Sequence, residues 1–274
     1  MPSPSNRNTP EARGPADHSR ELGKLQFRRV LRALFPLALI AAAVPPDLSS
    51  PARAETVVDL QLVLAVDTSG SVNATRFELQ KQGYAAAFRH PRVLQAIRST
   101  PLQSIAVTMV QWTGPALQVQ VVPWTLINDH KSAHAFASAI DAAPRQLFGG
   151  GTSISGAIDH AVTLFERSPY KAERRVIDVS GDGANNAGRS SVRARDDAVR
   201  AGIVINGLPI LALDPDLDRY FENYVIGGHG AFVIAAESYE TFSDAILRKL
   251  IIEIAADDGP ASEVPIRAAM RPER

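Results

Sequence analysis

The stretch Leu60-Gln61-Leu62-Val63-Leu64-Ala65-Val66 is apolar at every position but Gln61, and it stops abruptly at Asp67-Thr68-Ser69-Gly70-Ser71. A short apolar run bounded by turn-forming residues reads as a buried strand. The Asp-x-Ser-x-Ser that follows sets a carboxylate and two hydroxyls together at the strand's carboxyl end, where open parallel sheets place their ligands. Oxygen-only donors at this spacing suit a hard cation such as Mg²⁺. Whatever fold the chain adopts must bury this strand and leave its last loop facing a crevice.

The following elements alternate in kind. Thr75-x-x-Glu78 has the form of a capping box, and Phe77, Leu79, Tyr84, Ala85 and Phe88 predict a helix stopping near His90-Pro91. Residues 104–112 are rich in β-branched side chains and predict a strand. Gly114-Pro115 then turns the chain into Leu117-Gln118-Val119-Gln120-Val121-Val122, whose period of two predicts a hairpin partner and hence an antiparallel edge strand. A helix is expected around Lys131 to Ala142, and Ile154, Ile158, Ala161, Val162 and Phe165 recur at helical spacing after a glycine-rich loop. Arg174 to Ser180 predicts a strand ending in Gly181-Asp182-Gly183. A helix over 190–201, a strand over 203–211, a short helix after Asp214-Pro215 and a last strand Phe232-Val233-Ile234-Ala235 complete the pattern. Ser238 is expected to cap a final helix carrying Phe242, Ile246, Leu250, Ile251 and Ile254 on one face. Strands alternating with helices in this way predict an α/β fold: a doubly wound, Rossmann-like, mostly parallel sheet with one antiparallel edge strand and helices on both faces.

Three polar loops follow or face the carboxyl ends of these strands: Asp67-Thr68-Ser69-Gly70-Ser71, Gly151-Thr152-Ser153 and Gly181-Asp182-Gly183. Together they resemble the metal-ion-dependent adhesion site (MIDAS) of the von Willebrand factor type A (vWA) domain. That family carries Asp-x-Ser-x-Ser after its first strand, a Thr in a middle loop, and an Asp-Gly after a later strand. The resemblance covers nearly all of residues 56–255 and implies Asp67, Ser69, Ser71, Thr152 and Asp182 as metal-site residues. Gly181 stands where many relatives carry Thr, which removes no ligand. In the family the Ser and Thr hydroxyls bind the metal directly, while the aspartates act largely through water. The resemblance therefore implies Mg²⁺ or Mn²⁺ with an open coordination position that favours a carboxylate from a partner protein. Tyr220, Tyr224 and Gly227-Gly228-His229-Gly230-Ala231-Phe232 resemble a group of bacterial vWA-like exported proteins of unknown function.

Other motifs carry less. Asp67-Thr68-Ser69-Gly70 differs from the Asp-Thr-Gly of aspartic proteases and has no second copy for a dyad. Gly149-Gly150-Gly151-Thr152 lacks the Gly-Lys-Ser/Thr of a phosphate loop. In Asp214-Pro215-Asp216-Leu217-Asp218 the glycine that an EF-hand needs is replaced by Arg219, so helix-capping acids are expected. His130 and His134, four apart, have no third ligand motif nearby and are read as a solvated helix face. Asp178, inside an apolar strand, is read as an edge contact or a hydrogen-bonded structural acid. No nucleophile–His–Asp set stands at a known spacing.

The N-terminal region bears on location. Polar, Arg-rich residues ending in Arg28-Arg29-Val30-Leu31-Arg32 precede an apolar run from Ala33 to Val44, Pro45-Pro46 and the small-residue triplet Ala52-Arg53-Ala54. This predicts a signal peptide over residues 1–54, cleaved after Ala54, with a paired arginine similar to a twin-arginine export signal although Phe27 replaces the usual Ser/Thr. Residues 55–256 would form the vWA-like domain. Residues 257–274, rich in Pro and Arg, would be a disordered tail.

The 274-residue chain is 45% hydrophobic and holds 29 Lys/Arg against 29 Asp/Glu. Removing residues 1–54 leaves 21 basic and 25 acidic side chains, a mildly acidic balance that disfavours nucleic acid and anionic lipid as partners. The chain has no cysteine, which excludes disulfides, thiolate metal sites and cysteine nucleophiles. The expectation is a periplasmic or secreted, non-enzymatic binding protein that engages an acidic side chain of a protein partner through its cation, with no membrane span after cleavage. A hydrolase using the same cation as Lewis acid is the alternative.

Overall fold

The first strand of the central sheet, Leu60–Asp67, is buried along its whole length because both of its faces are covered. The computed structural model describes residues 55–256; the expected signal peptide and C-terminal tail lie outside the described residues. In chain order the elements are β1 (Thr56–Val57), β2 (Leu60–Asp67), α1 (Ala74–Arg89), α2 (Pro91–Arg98), β3 (Ile105–Trp112), β4 (Gln118–Ile127), α3 (His130–Ala142), α4 (Ile154–Glu166), β5 (Tyr170–Lys171), β6 (Arg174–Gly181), α5 (Ser191–Arg200), β7 (Val204–Pro209), α6 (Leu217–Tyr224) and α7 (Phe242–Ala255).

Five strands form one sheet in the order β4-β3-β2-β6-β7, with β2 at its centre. Every pairing is parallel except β3 with β4, which is antiparallel. The antiparallel edge strand expected from the Gly114-Pro115 turn is therefore present. It tolerates Pro123 within it because an edge strand need not use every N–H. β1 and β5 make a separate two-stranded parallel pair that sequence periodicity did not announce.

Alternation along β2 divides the core. Leu60, Leu62, Leu64 and Val66 face a layer built from Tyr84, Phe88, Val93, Ile97, Phe136, Ile140, Phe242, Ile246 and Leu250 of α1, α2, α3 and α7. Val63 and Ala65 face Ile154, Ile158, Phe165, Ala198 and Phe221 of α4, α5 and α6. Burying each large aliphatic side chain contributes about 1.5–3 kcal/mol. A strand with two apolar faces is stable only under two helical layers, which is why the fold is doubly wound.

Three local expectations are corrected. Asn73, and not Thr75, caps α1: its side chain accepts a hydrogen bond from the Arg76 amide at 2.9 Å. Thr241, and not Ser238, is the N-cap of α7, with the Ser238 carbonyl accepting from the Thr241 hydroxyl. The expected strand at Phe232–Ala235 is a ragged edge of isolated bridges, Gly207 with Val233 and Ile210 with Ala236. It runs beside β7 at Pro209, which has no N–H to donate, so the ladder there cannot be continuous. A helix that sequence reading missed, α2, starts directly at Pro91, where His90 caps it through its ring nitrogen; proline is well suited to a first helical turn.

Candidate metal centre

β2 ends at Asp67 in the middle of the sheet, and the loop beyond it must turn into α1. Asp67 makes that turn rigid: its Oδ1 accepts a hydrogen bond from the Ser69 amide at 2.7 Å, and its own carbonyl accepts from Gln80 Nε2 at 3.2 Å. Thr68 ties the loop sideways to the end of β3 through Trp112. The turn aims the hydroxyls of Ser69 and Ser71 to the same side, with their oxygens 3.3 Å apart.

β6 ends beside β2, and the residue just past its last position is Asp182. Ser71 Oγ donates to Asp182 Oδ1 at 2.5 Å, while Asp182 Oδ2 accepts from the Tyr239 hydroxyl at 2.7 Å. Arg76 Nη1 stands 3.8 Å from Asp182 and donates to the Ser71 carbonyl. The third loop enters from α4. Ser153 is the N-cap of that helix, accepting from the Gly156 amide, and its own amide donates to the Thr113 carbonyl. Thr152, one residue earlier, is clamped by Asn186, whose side-chain oxygen accepts from the Thr152 amide at 2.8 Å and whose amide donates to the Thr152 carbonyl at 2.9 Å.

The structure thus joins Asp67, Ser69, Ser71 and Asp182 in one chain of contacts. Thr152 makes no hydrogen bond to these four among the described residues. Its hydroxyl lies near Gly183, the residue after Asp182, where an added Cβ would sit 3.8 Å away.

The electrostatics are those of a site short of positive charge. Asp67 is fully buried and its Oδ2 has no hydrogen-bond partner. Burial pushes its carboxyl up to about 7, against the lowering effect of the Ser69 hydrogen bonds and with a further push from the nearby Asp182 charge. Gly181 packs beside this oxygen, and a Cβ added there would come within 3.0 Å of Oδ2. A larger residue at position 181 would crowd the orphaned oxygen. The donor set, carboxylate and hydroxyl oxygens only, fits a hard cation. Adjacent ligands of an Mg²⁺ octahedron are about 2.9 Å apart at its usual bond lengths, and the Ser69–Ser71 and Ser71–Asp182 separations of 3.3 and 2.5 Å bracket that spacing.

Residues 57–258 match the protein family described as "Protein of unknown function (DUF1194)". The chain belongs to that family. No curated protein matches it. Among solved structures, this DUF1194 chain is similar to proximal thread matrix protein 1 from the mussel byssus, including a form with a zinc-occupied MIDAS motif. That form is 16% identical, with a TM-score of 0.53, and the match covers 72% of this chain and 46% of that one. It is also similar to the pilus adhesin SpaC from Lactobacillus rhamnosus GG at 14% identity and a TM-score of 0.54, covering 72% of this chain and 31% of that one. This chain therefore spans less than half the length of either protein. The likeness identifies the fold as that of a vWA domain.

Around the five residues read from the sequence, the structure adds others that sequence reading passed over. Asn186 holds the Thr152 loop, and Asn185 accepts from the Ser155 amide at the start of α4. Tyr239 orients Asp182 from the chain leading into α7. Arg145 closes the opposite rim: it donates to the Thr68 carbonyl at 2.9 Å and stacks over Phe77 and the exposed Phe148. The Asn185-Asn186 pair, one residue past Gly181-Asp182-Gly183, was the one readable signal, because side-chain amides in a loop at a strand's carboxyl end serve to fix neighbouring backbone. Asp178, read as an edge contact or a hydrogen-bonded structural acid, is fully buried in the interior strand β6, 2.7 Å from Lys249 Nζ. His130 and His134 stack at a centroid distance of 3.9 Å on the outer part of α3.

Proposed function

We propose that this protein binds a divalent cation, Mg²⁺ or Mn²⁺, through Asp67, Ser69, Ser71, Thr152 and Asp182, and uses it to hold a carboxylate of a partner protein. The observation that carries this reading is the buried, unpartnered Asp67 Oδ2 beside a row of hydroxyl and carboxylate oxygens at ligand spacing. A fully buried carboxylate oxygen without a hydrogen bond is costly unless something positive compensates it. Neutral hydroxyls as direct ligands would leave much of the cation's charge available to an incoming anion. When bound, the cation supplies electrostatic attraction and a coordination position. The chain's own residues supply orientation: the Ser69 amide fixes Asp67, Tyr239 and Ser71 fix Asp182, and Asn186 fixes the Thr152 backbone.

The reading is of a binding protein and not an enzyme. Ser71 and Tyr239 hold both oxygens of Asp182, and Asp67 is fully buried, so neither carboxylate is presented to a substrate as a general base. Adhesin and matrix proteins among the similar structures support the same direction. The N-terminal pattern supports export through a signal peptide over residues 1–54, giving a periplasmic or secreted protein whose domain spans 55–256 and whose residues 257–274 form a tail.

Crosslinking capture from the native envelope tests this reading, run with Mn²⁺, with chelator, and with the Asp67→Ala variant. Partners recovered with Mn²⁺ and lost in both other conditions are the expected result. A set of partners indifferent to chelator and to Asp67→Ala would overturn it. Metal-dependent esterase or phosphatase turnover lost in Asp182→Ala would favour the hydrolase instead.

A further inference from the structure

Below the crevice, between the sheet and α7, three ionisable side chains meet in the core. Asp178 of β6 and Lys249 and Glu253 of α7 are each at most 1% exposed. Lys249 Nζ lies 2.7 Å from Asp178 Oδ1 and donates a hydrogen bond to Glu253 Oε1 at 3.1 Å. Asn206, beside Asp178 on β7, donates to the same Glu253 oxygen at 2.8 Å, and the Phe232 ring stands 5.1 Å from Nζ.

As a plain ion pair this arrangement is poorly made. A buried pair offsets its desolvation only when the remaining lone pairs are satisfied. Here Asp178 Oδ1 meets only the Lys249 ammonium, while Asp178 Oδ2 and Glu253 Oε2 have no hydrogen-bond partner. A lysine nitrogen held against a carboxyl group, with a second carboxylate touching that nitrogen, in a core that excludes water, is the arrangement in which an amide bond forms.

We propose that Lys249 and Asp178 join in an intramolecular isopeptide bond, with Glu253 as the catalytic acid and base. Glu253 takes a proton from the Lys249 ammonium. The freed Nζ lone pair attacks Cγ of the protonated Asp178 carboxyl, forming the C–N bond. Glu253 gives that first proton to the departing hydroxyl as the C–O bond breaks, and one water leaves. The Glu253 carboxylate so restored takes a second proton from Nζ, which keeps one. Glu253 ends protonated, charge is conserved, and nothing is oxidised or reduced.

The surroundings favour each step. Burial lifts the Asp178 carboxyl to about 7, against the pull of Lys249, so its neutral form is accessible. Burial alone would lower Lys249, and Asp178 and Glu253 together raise it above its usual value. A base in contact is therefore required, and Glu253 is in contact. Fixed orientation replaces a bimolecular encounter with an intramolecular one, and the dry core opposes the reverse hydrolysis. The bond would staple α7 to β6 independently of any metal.

Peptide mass spectrometry of the full-length protein, trypsinised after denaturation, tests this. Trypsin cannot cleave after an acylated lysine, so the expected product is Val176–Arg189 joined to Lys249–Arg267 and lighter than their sum by one water. Glu253→Gln should give Val176–Arg189 and Leu250–Arg267 unjoined, because trypsin then cleaves after the free Lys249. Asp178→Asn should yield the same joined product by loss of ammonia in place of water. Unjoined wild-type peptides from folded protein would overturn the proposal, and that reading does not depend on any variant folding. A joined product persisting in Glu253→Gln would overturn the role of Glu253.

Discussion

Asp67 is the residue on which the proposed metal centre turns, because one oxygen holds the loop and the other holds nothing. Replacing it removes both the charge and the clamp on Ser69. Asp67→Ala is therefore expected to lower Mg²⁺ affinity by about 10–100-fold, the range typical for partners that orient metal ligands. Ser69→Ala should cost less, and equal affinities of the two variants by calorimetry would contradict this ordering. Beside β6, Lys249→Met would prevent the proposed amide link and leave Asp178 and Glu253 as buried carboxyl groups without their lysine partner. Removing one partner of such a buried set costs about 3–5 kcal/mol, readable as a lowered denaturation midpoint. The five candidate residues could be picked from the sequence because each lies in a short polar loop directly after, or facing, an apolar strand. Most of their surroundings could not. Tyr239, Gln80 and Arg145 reach these loops from other parts of the chain, and a hydrogen bond between distant segments leaves no local pattern. Asp178 was visible as an oddity in an apolar strand, but its partner Lys249 sits in an ordinary-looking helix and only the fold brings them together.

At the scale of elements, the contact of α1 with α7 decides how close the two helices lie under the sheet. Gly83 is buried in α1, and a Cβ there would meet the Phe242 ring at 2.7 Å and the Ser243 backbone at 3.3 Å. Helix propensity alone predicts that Gly83→Ala stabilises by about 1 kcal/mol. The contact predicts the opposite, a loss of about 1–3 kcal/mol from overpacking, so thermal melts of this single variant separate the two effects. Strands and helices with strong periodicity were readable: β2, β3, β6 and α4 stand where their patterns place them. The misreadings came where tertiary partners decide. Val233 and Ile234 have strand propensity, yet their neighbour Pro209 breaks the ladder. Thr75 and Ser238 look like caps, but the caps are Asn73 and Thr241, since the loops feeding α1 and α7 are already fixed by the crevice.

For the whole molecule, the strand order β4-β3-β2-β6-β7 explains why residues far apart in sequence share one site. β2 is central and β6 adjoins it, so Asp67 and Asp182 end side by side, and α4 delivers Thr152 to the same rim. The parallel sheet and its two helical layers followed from alternating elements, whereas the order of the strands could come only from the vWA resemblance, since crossover direction leaves no mark in a single sequence. A ligand that binds the folded form alone stabilises it by about 2.7 kcal/mol at a hundred times its dissociation constant. The most direct measurement is therefore a thermal melt of the protein in rising Mg²⁺ and in chelator, alongside Asp67→Ala. The account predicts a midpoint that climbs with Mg²⁺ for the wild type and stays flat for the variant. A wild-type midpoint indifferent to Mg²⁺, Mn²⁺ and chelator would contradict it.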